Sequence, residues 1–220
     1  MKKFGAIIFD MDGVIFDSER LYMQCCREAA EIFGADNIEE VVLSCIGLNT
    51  EKTHERYRSA YGDDFPLAEF WKEATTRFAG KAQGGLLPVK DGAAEILEKL
   101  KNDGMPVALA SSTRTEMVIR ELTAAELDGY FNVIIGGDMV TKSKPEPDIF
   151  LLAAEKLGIK IEDCAVIEDS MNGIRAARAS GAYVIMVPDL VQPTEEDSQL
   201  YTDAVLPSLN EVREMIASCQ

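Results

Sequence analysis

Ala6-Ile7-Ile8-Phe9-Asp10-Met11-Asp12-Gly13 begins as a short apolar run and ends in two carboxylates two residues apart. The apolar run predicts a buried strand, which delivers both acids at its carboxyl end. In a doubly wound α/β fold, ligands bind at that edge of the sheet. Two crowded carboxylates repel each other unless a cation lies between them, and hard divalent metals take oxygen ligands. The pair therefore indicates metal-assisted phosphoryl chemistry, with one acid as the nucleophile and the other as the acid/base.

Strand and helix patterns alternate from residue 86 onward. Apolar or β-branched runs predict strands at 106–110, 132–135, 164–167 and 183–187, with a weaker one at 204–206. Helical patterns lie at 92–101, 115–126, 147–157, 173–179 and 209–217. Almost continuously apolar strands separated by helices are typical of a parallel sheet covered on both faces. The sequence therefore predicts an α/β fold with a doubly wound, Rossmann-like parallel sheet.

The interval between the first and second strands contains no convincing strand. It predicts helices at 19–33, 38–45, 50–61 and 67–79, separated by glycine-containing turns. An all-helical insertion predicts a separate cap domain at 16–85, with 1–15 and 86–220 forming the α/β core. The turn at 13–17 is the expected outgoing hinge and Gly84-Gly85 the expected return hinge. The alternative is that these glycines merely end a helix.

Composition is that of an ordinary soluble globular protein, with 47% hydrophobic and 27% charged residues among 220. No apolar run is long enough to span a bilayer, and acids interrupt the first run too early for a secretory signal. We therefore expect a cytoplasmic protein with no membrane partner. The net charge of −16 argues against a nucleic-acid partner, because such binding uses basic patches. We also expect a monomer.

Cysteine and histidine usage limits other chemistries. The five cysteines form no Cys-x-x-Cys pair, and we expect reduced thiols that mostly pack. Because His54 is the single histidine, the chain cannot form a histidine-rich zinc site by itself. The highly charged helical surroundings of His54 also make it a poor member of a Ser-His-Asp triad.

Polar motifs lie at or just beyond the ends of four predicted strands. They are Asp10-x-Asp12, Ser111-Ser112-Thr113, Lys144-Pro145-Glu146-Pro147 and Glu168-Asp169-Ser170. Each alone has an ordinary explanation, since serine and aspartate cap helices and proline begins them. In a parallel sheet all four would meet at one edge, and this convergence predicts a single site.

These motifs closely resemble those of the haloacid-dehalogenase-like hydrolases, in the branch that includes phosphoglycolate phosphatase and β-phosphoglucomutase. Residues 9–19 are similar to the first motif of that family, Ser111 to the second, Lys144 within 143–150 to the third, and 168–173 to the fourth. Their order and spacing agree along the whole chain. The helical insertion also lies where that branch has its cap.

The resemblance implies a role for each core residue. Asp10 would be the nucleophile and form an aspartyl-phosphate, which splits one difficult displacement into two easier ones. Asp12 would protonate the leaving alcohol and then activate water. Ser111 would hydrogen-bond a phosphoryl oxygen, and Lys144 would pair with Asp10 and the phosphate. The sequence leaves open whether Lys142 shares the task of Lys144.

The resemblance also implies Mg²⁺ as the cofactor, bridging the Asp10 carboxylate and the phosphate. The backbone carbonyl of Asp12 and the carboxylates of Asp169 and Glu168 would complete its ligands. An acid at position 12 favours phosphate esters over the dehalogenase reaction of the family. The nearest cap lysine, Lys52, does not match the pattern of the phosphonate-cleaving members.

Two cap features separate a phosphatase from a sugar phosphomutase. The β-phosphoglucomutases carry a histidine where this chain has Tyr22, and a Lys-Gly-x-x-Arg loop where it has Ile46-Gly47-Leu48-Asn49-Thr50. Without those cations a bisphosphate intermediate would be poorly held. We therefore expect a monophosphatase acting on a small phosphorylated metabolite such as a sugar phosphate, with the mutase as the alternative.

Substrate selection is expected from the cap and from the loop after Ser111. The candidate substrate-binding residues are Glu19, Tyr22, Asn49, Thr50, Ser112, Thr113 and Arg114. The alternative is that Glu19 and Tyr22 are capping and packing residues and that Arg114 is simply exposed.

Two functions of another class also fit parts of the sequence. A non-catalytic phosphate- or metal-binding module could use the same fold, because fold does not dictate function. A phospho-accepting receiver domain has a similar sheet and an aspartate, but it is much shorter and lacks an inserted cap. Metal-dependent hydrolysis of a phosphate ester separates an enzyme from a binding module.

Overall fold

The computed structural model describes residues 3–46, 50–82 and 87–218, with the side chain of Thr50 left out. Six parallel strands form one sheet in the order β3-β2-β1-β4-β5-β6. They are β1 (Ala6–Phe9), β2 (Val107–Ala110), β3 (Val133–Ile135), β4 (Cys164–Glu168), β5 (Tyr183–Met186) and β6 (Ala204–Val205). From β1 the chain adds β2 and β3 on one side and then β4, β5 and β6 on the other, so the doubly wound fold is confirmed. The order reverses between β1 and β4, which is where this fold opens a crevice for ligands.

Ten α-helices lie within the described residues. They are α1 (Ser18–Phe33), α2 (Ile38–Cys45), α3 (Thr50–Tyr61), α4 (Leu67–Ala82), α5 (Ala93–Asn102), α6 (Thr115–Ala124), α7 (Asp148–Leu157), α8 (Met171–Ser180), α9 (Glu195–Tyr201) and α10 (Leu209–Ser218). The sequence prediction missed α9, because this segment is acidic and has no apolar stripe. A side-chain cap explains why it forms: the Thr194 hydroxyl accepts a hydrogen bond from the Asp197 amide at 3.0 Å.

The sheet is buried on both faces, which explains why its strands are apolar at successive positions. Ile7 and Phe9 of β1 point to one face, where α5, α6 and α10 pack. Ala6 and Ile8 point to the other face, where α7 and α8 pack. Side chains alternate between faces along a strand, so a strand covered on both sides must be apolar throughout.

Helices α1 to α4 lie between β1 and α5 in the chain and enclose an apolar cluster of their own. Phe70 and Ala74 of α4 are buried there against Ala29 of α1 and Tyr57 of α3. This agrees with the helical insertion expected from the sequence. Gly84 and Gly85, the expected return hinge, lie outside the described residues.

The chain leaves the sheet and returns to it along two adjacent segments, 15–17 and 88–90, which we call the crossing ribbon. The amide of Asp17 donates to the Pro88 carbonyl at 2.8 Å, and the amide of Lys90 donates to the Ile15 carbonyl at 2.9 Å. Phe16 and Val89 pair as an antiparallel bridge. The ribbon therefore joins the two connections between the four helices and the sheet.

Within the described residues, no helix combines the length and the apolar character needed to cross a bilayer.

Candidate functional site

The two acids after β1 lie on a tight loop at the point where the strand order reverses. The amide of Asp10 donates to the Ile167 carbonyl of β4 at 2.9 Å, which continues the pairing of β1 with β4. Gly13 then adopts a φ of 76°, in the left-handed region. A Cβ at Gly13 would lie 2.1 Å from Oδ2 of Asp169, so glycine is needed for the close approach of the two loops.

Lys144 enters this site from the loop that follows β3. Its Nζ donates to Oδ1 of Asp10 at 2.5 Å and to Oε1 of Glu168 at 2.6 Å. All three side chains are at least nine-tenths buried. Lys144 is 134 positions from Asp10 and 24 positions from Glu168 in the sequence, and the fold joins the three residues in one ion-paired group.

Glu168 ends β4, and both of its carboxylate oxygens accept hydrogen bonds. Oε1 accepts from Lys144, and Oε2 accepts from the amides of Asp169 and Ser170, each at 2.9 Å. The Ser170 hydroxyl donates to Oε2 at 3.0 Å and also caps α8 by accepting from the Gly173 amide. This cap explains why α8 begins before residue 173, where the sequence prediction placed its start.

Asp12 is held by the loop after β2. Its Oδ2 accepts a hydrogen bond from the Thr113 hydroxyl at 3.0 Å and a longer one from the Ser111 hydroxyl at 3.5 Å. The Ser111 hydroxyl also accepts from the Thr113 amide at 3.0 Å, and Ser111 is fully buried. The second predicted motif therefore contacts the first directly.

The site contains more buried negative charge than its one ammonium group can balance. One oxygen from each of Asp10, Glu168 and Asp169 lies within 4.8 Å of the others. Burial raises the pKa of Asp10 to about 8, although Lys144 opposes this shift. Burial and the charges of Glu168 and Asp10 raise the pKa of Asp169 well above its usual range. Burial lowers the pKa of Lys144, but Asp10 and Glu168 reverse this and raise it. An all-oxygen set with excess negative charge fits a hard divalent cation.

A cavity of about 230 Å³ opens above these side chains. It is lined by Asp10, Asp12, Glu19, Ser112, Lys144, Glu168, Asp169, Ser170 and Asn172. Larger cavities, including one of about 310 Å³ between α2 and α3, contain no residue of the carboxylate cluster. We therefore place the candidate site in the smaller cavity, where the reactive groups converge.

Among the described residues of helices α1 to α4, Glu19 of α1 is the one that lines this cavity. Burial raises its pKa, and the charges of Asp12 and Asp189 raise it further, while Lys90 lowers it. Asn172 also lines the cavity and was not predicted from the sequence, although it lies within the fourth motif. Its position two residues after Ser170, at the second residue of α8, was the signal available in the sequence.

Other expected substrate residues have different surroundings. The ring of Tyr22 packs edge-on against Phe78 at 5.9 Å, and it is not among the residues lining the cavity, which favours the packing alternative. Arg114 is exposed and does not line the cavity. The same is true of Lys142, which the sequence left open as a residue sharing the task of Lys144. Asn49 and the side chain of Thr50 lie outside the described part of the chain.

Comparisons with known proteins agree with this geometry. Residues 7–187 match the family model described as haloacid dehalogenase-like hydrolase. The phosphorylated carbohydrates phosphatase of Thermotoga maritima is 34% identical over 176 residues, which cover 80% of this chain and 81% of that protein.

Solved structures are also similar over almost the whole chain. A haloacid-dehalogenase family hydrolase of Deinococcus radiodurans with bound phosphate and sodium has a TM-score of 0.85 and 30% identity, covering 100% of this chain and 97% of that one. A CbbY variant of Rhodobacter sphaeroides in complex with xylulose-(1,5)bisphosphate has a TM-score of 0.69 and 28% identity. The match covers 94% of this chain and 96% of that one. With its doubly wound sheet and the four motifs gathered at one edge, this chain belongs to the haloacid dehalogenase-like hydrolases.

Proposed function

We propose that this protein is a Mg²⁺-dependent phosphatase that hydrolyses the monoester of a small phosphorylated carbohydrate through an aspartyl-phosphate on Asp10. The observation that carries the proposal is the ion-paired group of Asp10, Lys144 and Glu168, placed beside Asp12 where the strand order reverses. It supplies a carboxylate nucleophile, a fixed cation and a second acid within one small cavity. The T. maritima relative is named as a phosphatase of phosphorylated carbohydrates, which supports this class of substrate.

In the first step the Asp10 carboxylate attacks phosphorus, and the bond from phosphorus to the ester oxygen breaks. The leaving alkoxide takes a proton from Asp12, whose carboxyl group is oriented by the Thr113 hydroxyl. In the second step Asp12 takes a proton from water, which attacks phosphorus and releases inorganic phosphate and free Asp10. Ser111 and Lys144 bind phosphoryl oxygens during both steps and offset their charge.

The donor set allows a division of roles around the metal. Asp10, Asp169 and the backbone carbonyl of Asp12 would hold Mg²⁺, which when bound supplies positive charge to the phosphoryl group. Glu168 faces the same cluster, but both of its oxygens already accept hydrogen bonds. Its main role in the proposal is therefore to hold Lys144 and the loop that carries Asp169.

The charges around the cavity support a substrate that is neutral apart from its phosphate. Lys144 is the one cation among the described residues that line the cavity, and it is already paired with two carboxylates. Glu19 adds a further carboxyl group to the wall. The sequence of segment 46–50 contains no lysine or arginine. A second phosphate or a carboxylate on the substrate would therefore be poorly bound.

The four helices α1 to α4 form the cap in this proposal, with the domain division at 16–85. Glu19 reaches the cavity from the first turn of α1, so closure of the cap brings a side chain over the phosphate site. Closure would exclude water that is not positioned by Asp12 and strengthen the local electrostatic interactions.

A substrate panel tests this function. We expect sugar monophosphates to be hydrolysed with kcat/KM at least about tenfold above phosphoglycolate and glucose 1,6-bisphosphate, because one unfavourable charge contact costs about 1.4 kcal/mol or more. EDTA should stop hydrolysis and added Mg²⁺ restore it. Phosphate release should exceed isomerisation of glucose 1-phosphate. If isomerisation is faster than phosphate release, the protein is the mutase. If the folded protein releases no phosphate from p-nitrophenyl phosphate when Mg²⁺ is added, it is the non-catalytic binding module.

Gly173→Ala tests whether the position of Glu168 matters for activity. An ideal Cβ at Gly173 would lie 1.8 Å from the Glu168 carboxylate, so one of the two must shift. We expect the carboxylate to move and its contact with Lys144 to weaken. We expect kcat for p-nitrophenyl phosphate to fall about 100-fold, as for other displacements of about 1 Å at a reacting centre. The matched control is Gly80→Ala in α4, where a Cβ meets nothing within 4 Å. Equal activity of the two variants would refute this role of Glu168.

A further inference from the structure

Asp189 is a buried carboxylate outside the catalytic cluster, in the loop that follows β5. Its side chain is only 1% exposed, and Oδ1 lies 2.8 Å from Nζ of Lys90 and 2.5 Å from Nη1 of Arg20. Neither contact has hydrogen-bond geometry, and Oδ2 also has no hydrogen-bond partner among the described residues. The interaction is therefore mainly the attraction of a desolvated anion to two cations.

A second carboxylate closes this group into a four-membered network. Oδ1 of Asp17 lies 3.0 Å from Nη1 of Arg20 and 3.9 Å from Nζ of Lys90. We call Asp17, Arg20, Lys90 and Asp189 the hinge network. Asp17 and Lys90 belong to the crossing ribbon, and Arg20 lies in the first turn of α1. Asp189 is the one member that follows a strand of the sheet.

The network lies at the junction between α1 and the sheet, beside the crossing ribbon. The hydrogen bonds of the crossing ribbon join its two segments to each other, and a two-stranded ribbon alone is only marginally stable. Asp189 adds a connection from this ribbon to the loop after β5. Arg20 directly follows Glu19, so fixing Arg20 also fixes the turn of helix that carries Glu19 into the cavity.

We infer that Asp189 is a positioning residue for substrate binding: through Lys90 and Arg20 it holds the first turn of α1 against the sheet and so places Glu19 over the catalytic cavity. Lys90 is the stronger partner, because its side chain is 17% exposed whereas that of Arg20 is 53% exposed and more screened by solvent. The effect on substrate binding rests on the proposed phosphatase function. The anchoring of α1 does not.

Glu28 provides a matched control, because it is also a carboxylate held by two cations. It pairs with Arg77 at 3.2 Å and with Lys81 at 2.5 Å, and all three residues lie on α1 and α4. Glu28→Gln therefore removes a similar set of ion pairs without changing a contact between α1 and the sheet. It lies outside the cavity lining, so we expect the catalytic constants to stay unchanged.

The test compares Asp189→Asn, Lys90→Met, Lys90→Arg and Glu28→Gln. We expect Asp189→Asn and Lys90→Met to raise KM for the best sugar monophosphate about tenfold, because each removes the ion pair between Lys90 and the buried Asp189. The inhibition constant of inorganic phosphate should change less than about twofold, since phosphate binds to the core residues alone. Lys90→Arg keeps the cation, so its KM should stay close to that of the unchanged protein. A parallel rise of KM and of the phosphate inhibition constant, or an equal rise in Glu28→Gln, would overturn the inference.

Hydrogen–deuterium exchange gives a readout that does not need a substrate. Amides of 17–22 and 88–91 should exchange faster in Asp189→Asn and Lys90→Met, while Glu28→Gln should leave them unchanged. This result would support the anchoring even if no phosphate ester were hydrolysed, in which case the proposed function alone would fail. Unchanged exchange in both hinge variants would overturn the inference whatever the activity.

Discussion

Asp10→Asn should lower kcat for every phosphate ester by at least about 10⁴-fold, because an amide oxygen is a far poorer nucleophile than a carboxylate and no covalent intermediate can form. The variant keeps the size of the side chain and removes one of several crowded negative charges. We therefore expect it to fold and to bind the substrate. Steady-state hydrolysis together with binding of the unreacted sugar phosphate by calorimetry measures both effects. An Asp10→Asn variant with substantial turnover would rule out the aspartyl-phosphate mechanism.

Asp12→Asn provides the control that separates the two acids. The proposed role of Asp12 is to protonate the leaving group and then to activate water. Because p-nitrophenolate leaves without protonation, its release in the first turnover should survive in Asp12→Asn, while later turnovers slow as phosphorylated Asp10 accumulates. Rapid mixing should show a burst with p-nitrophenyl phosphate and little reaction with a sugar phosphate. Asp10→Asn should show no burst with either compound.

Lys144→Met should reduce both activity and stability, because Lys144 is the ammonium group that pairs with both Asp10 and Glu168. Removing one partner of a buried ion pair leaves an uncompensated charge, so we expect the free energy of unfolding to fall by about 3 kcal/mol. Loss of the cation that offsets charge on the phosphoryl group should lower kcat by about 10³-fold. Thermal and denaturant unfolding measure the first effect, and p-nitrophenyl phosphate hydrolysis the second.

The double variant Lys144→Met/Glu168→Gln separates these two effects. It removes one of the two buried carboxylate charges that the single substitution leaves unpaired, so part of the lost stability should return. Activity should not return, because the phosphoryl group still lacks its cation. Recovery of activity together with stability would mean that Lys144 acts only in folding.

The local sequence was sufficient to predict most of the regular elements. Strands β1 and β4 are apolar at every position but the last of β4, and this pattern requires cover on both faces of the sheet. Prediction was poorer where a polar cap decides the helix: the start of α8 after Ser170 was placed too late, and α9 after Thr194 was missed. Caps act through a single hydrogen bond, which hydrophobic periodicity does not reveal.

The sequence also indicated which motifs would meet, because parallel strands place their carboxyl ends at one edge of the sheet. The presence of Asp10, Asp12, Ser111, Lys144 and Glu168-Asp169 in one site follows from this topology. The roles of these side chains remain predictions that the substitutions above will test.

By itself, the chain determined the fold class and the identity of the chemical groups at the site, since both follow from local patterns and from the geometry of a parallel sheet. Only the tertiary structure decided how those groups are partnered. It placed both oxygens of Glu168 in hydrogen bonds, packed Tyr22 against Phe78 and brought Asp189 to Lys90 and Arg20. Such contacts depend on distances of a few ångströms between residues far apart in the chain, and no periodicity or spacing in the sequence encodes those distances.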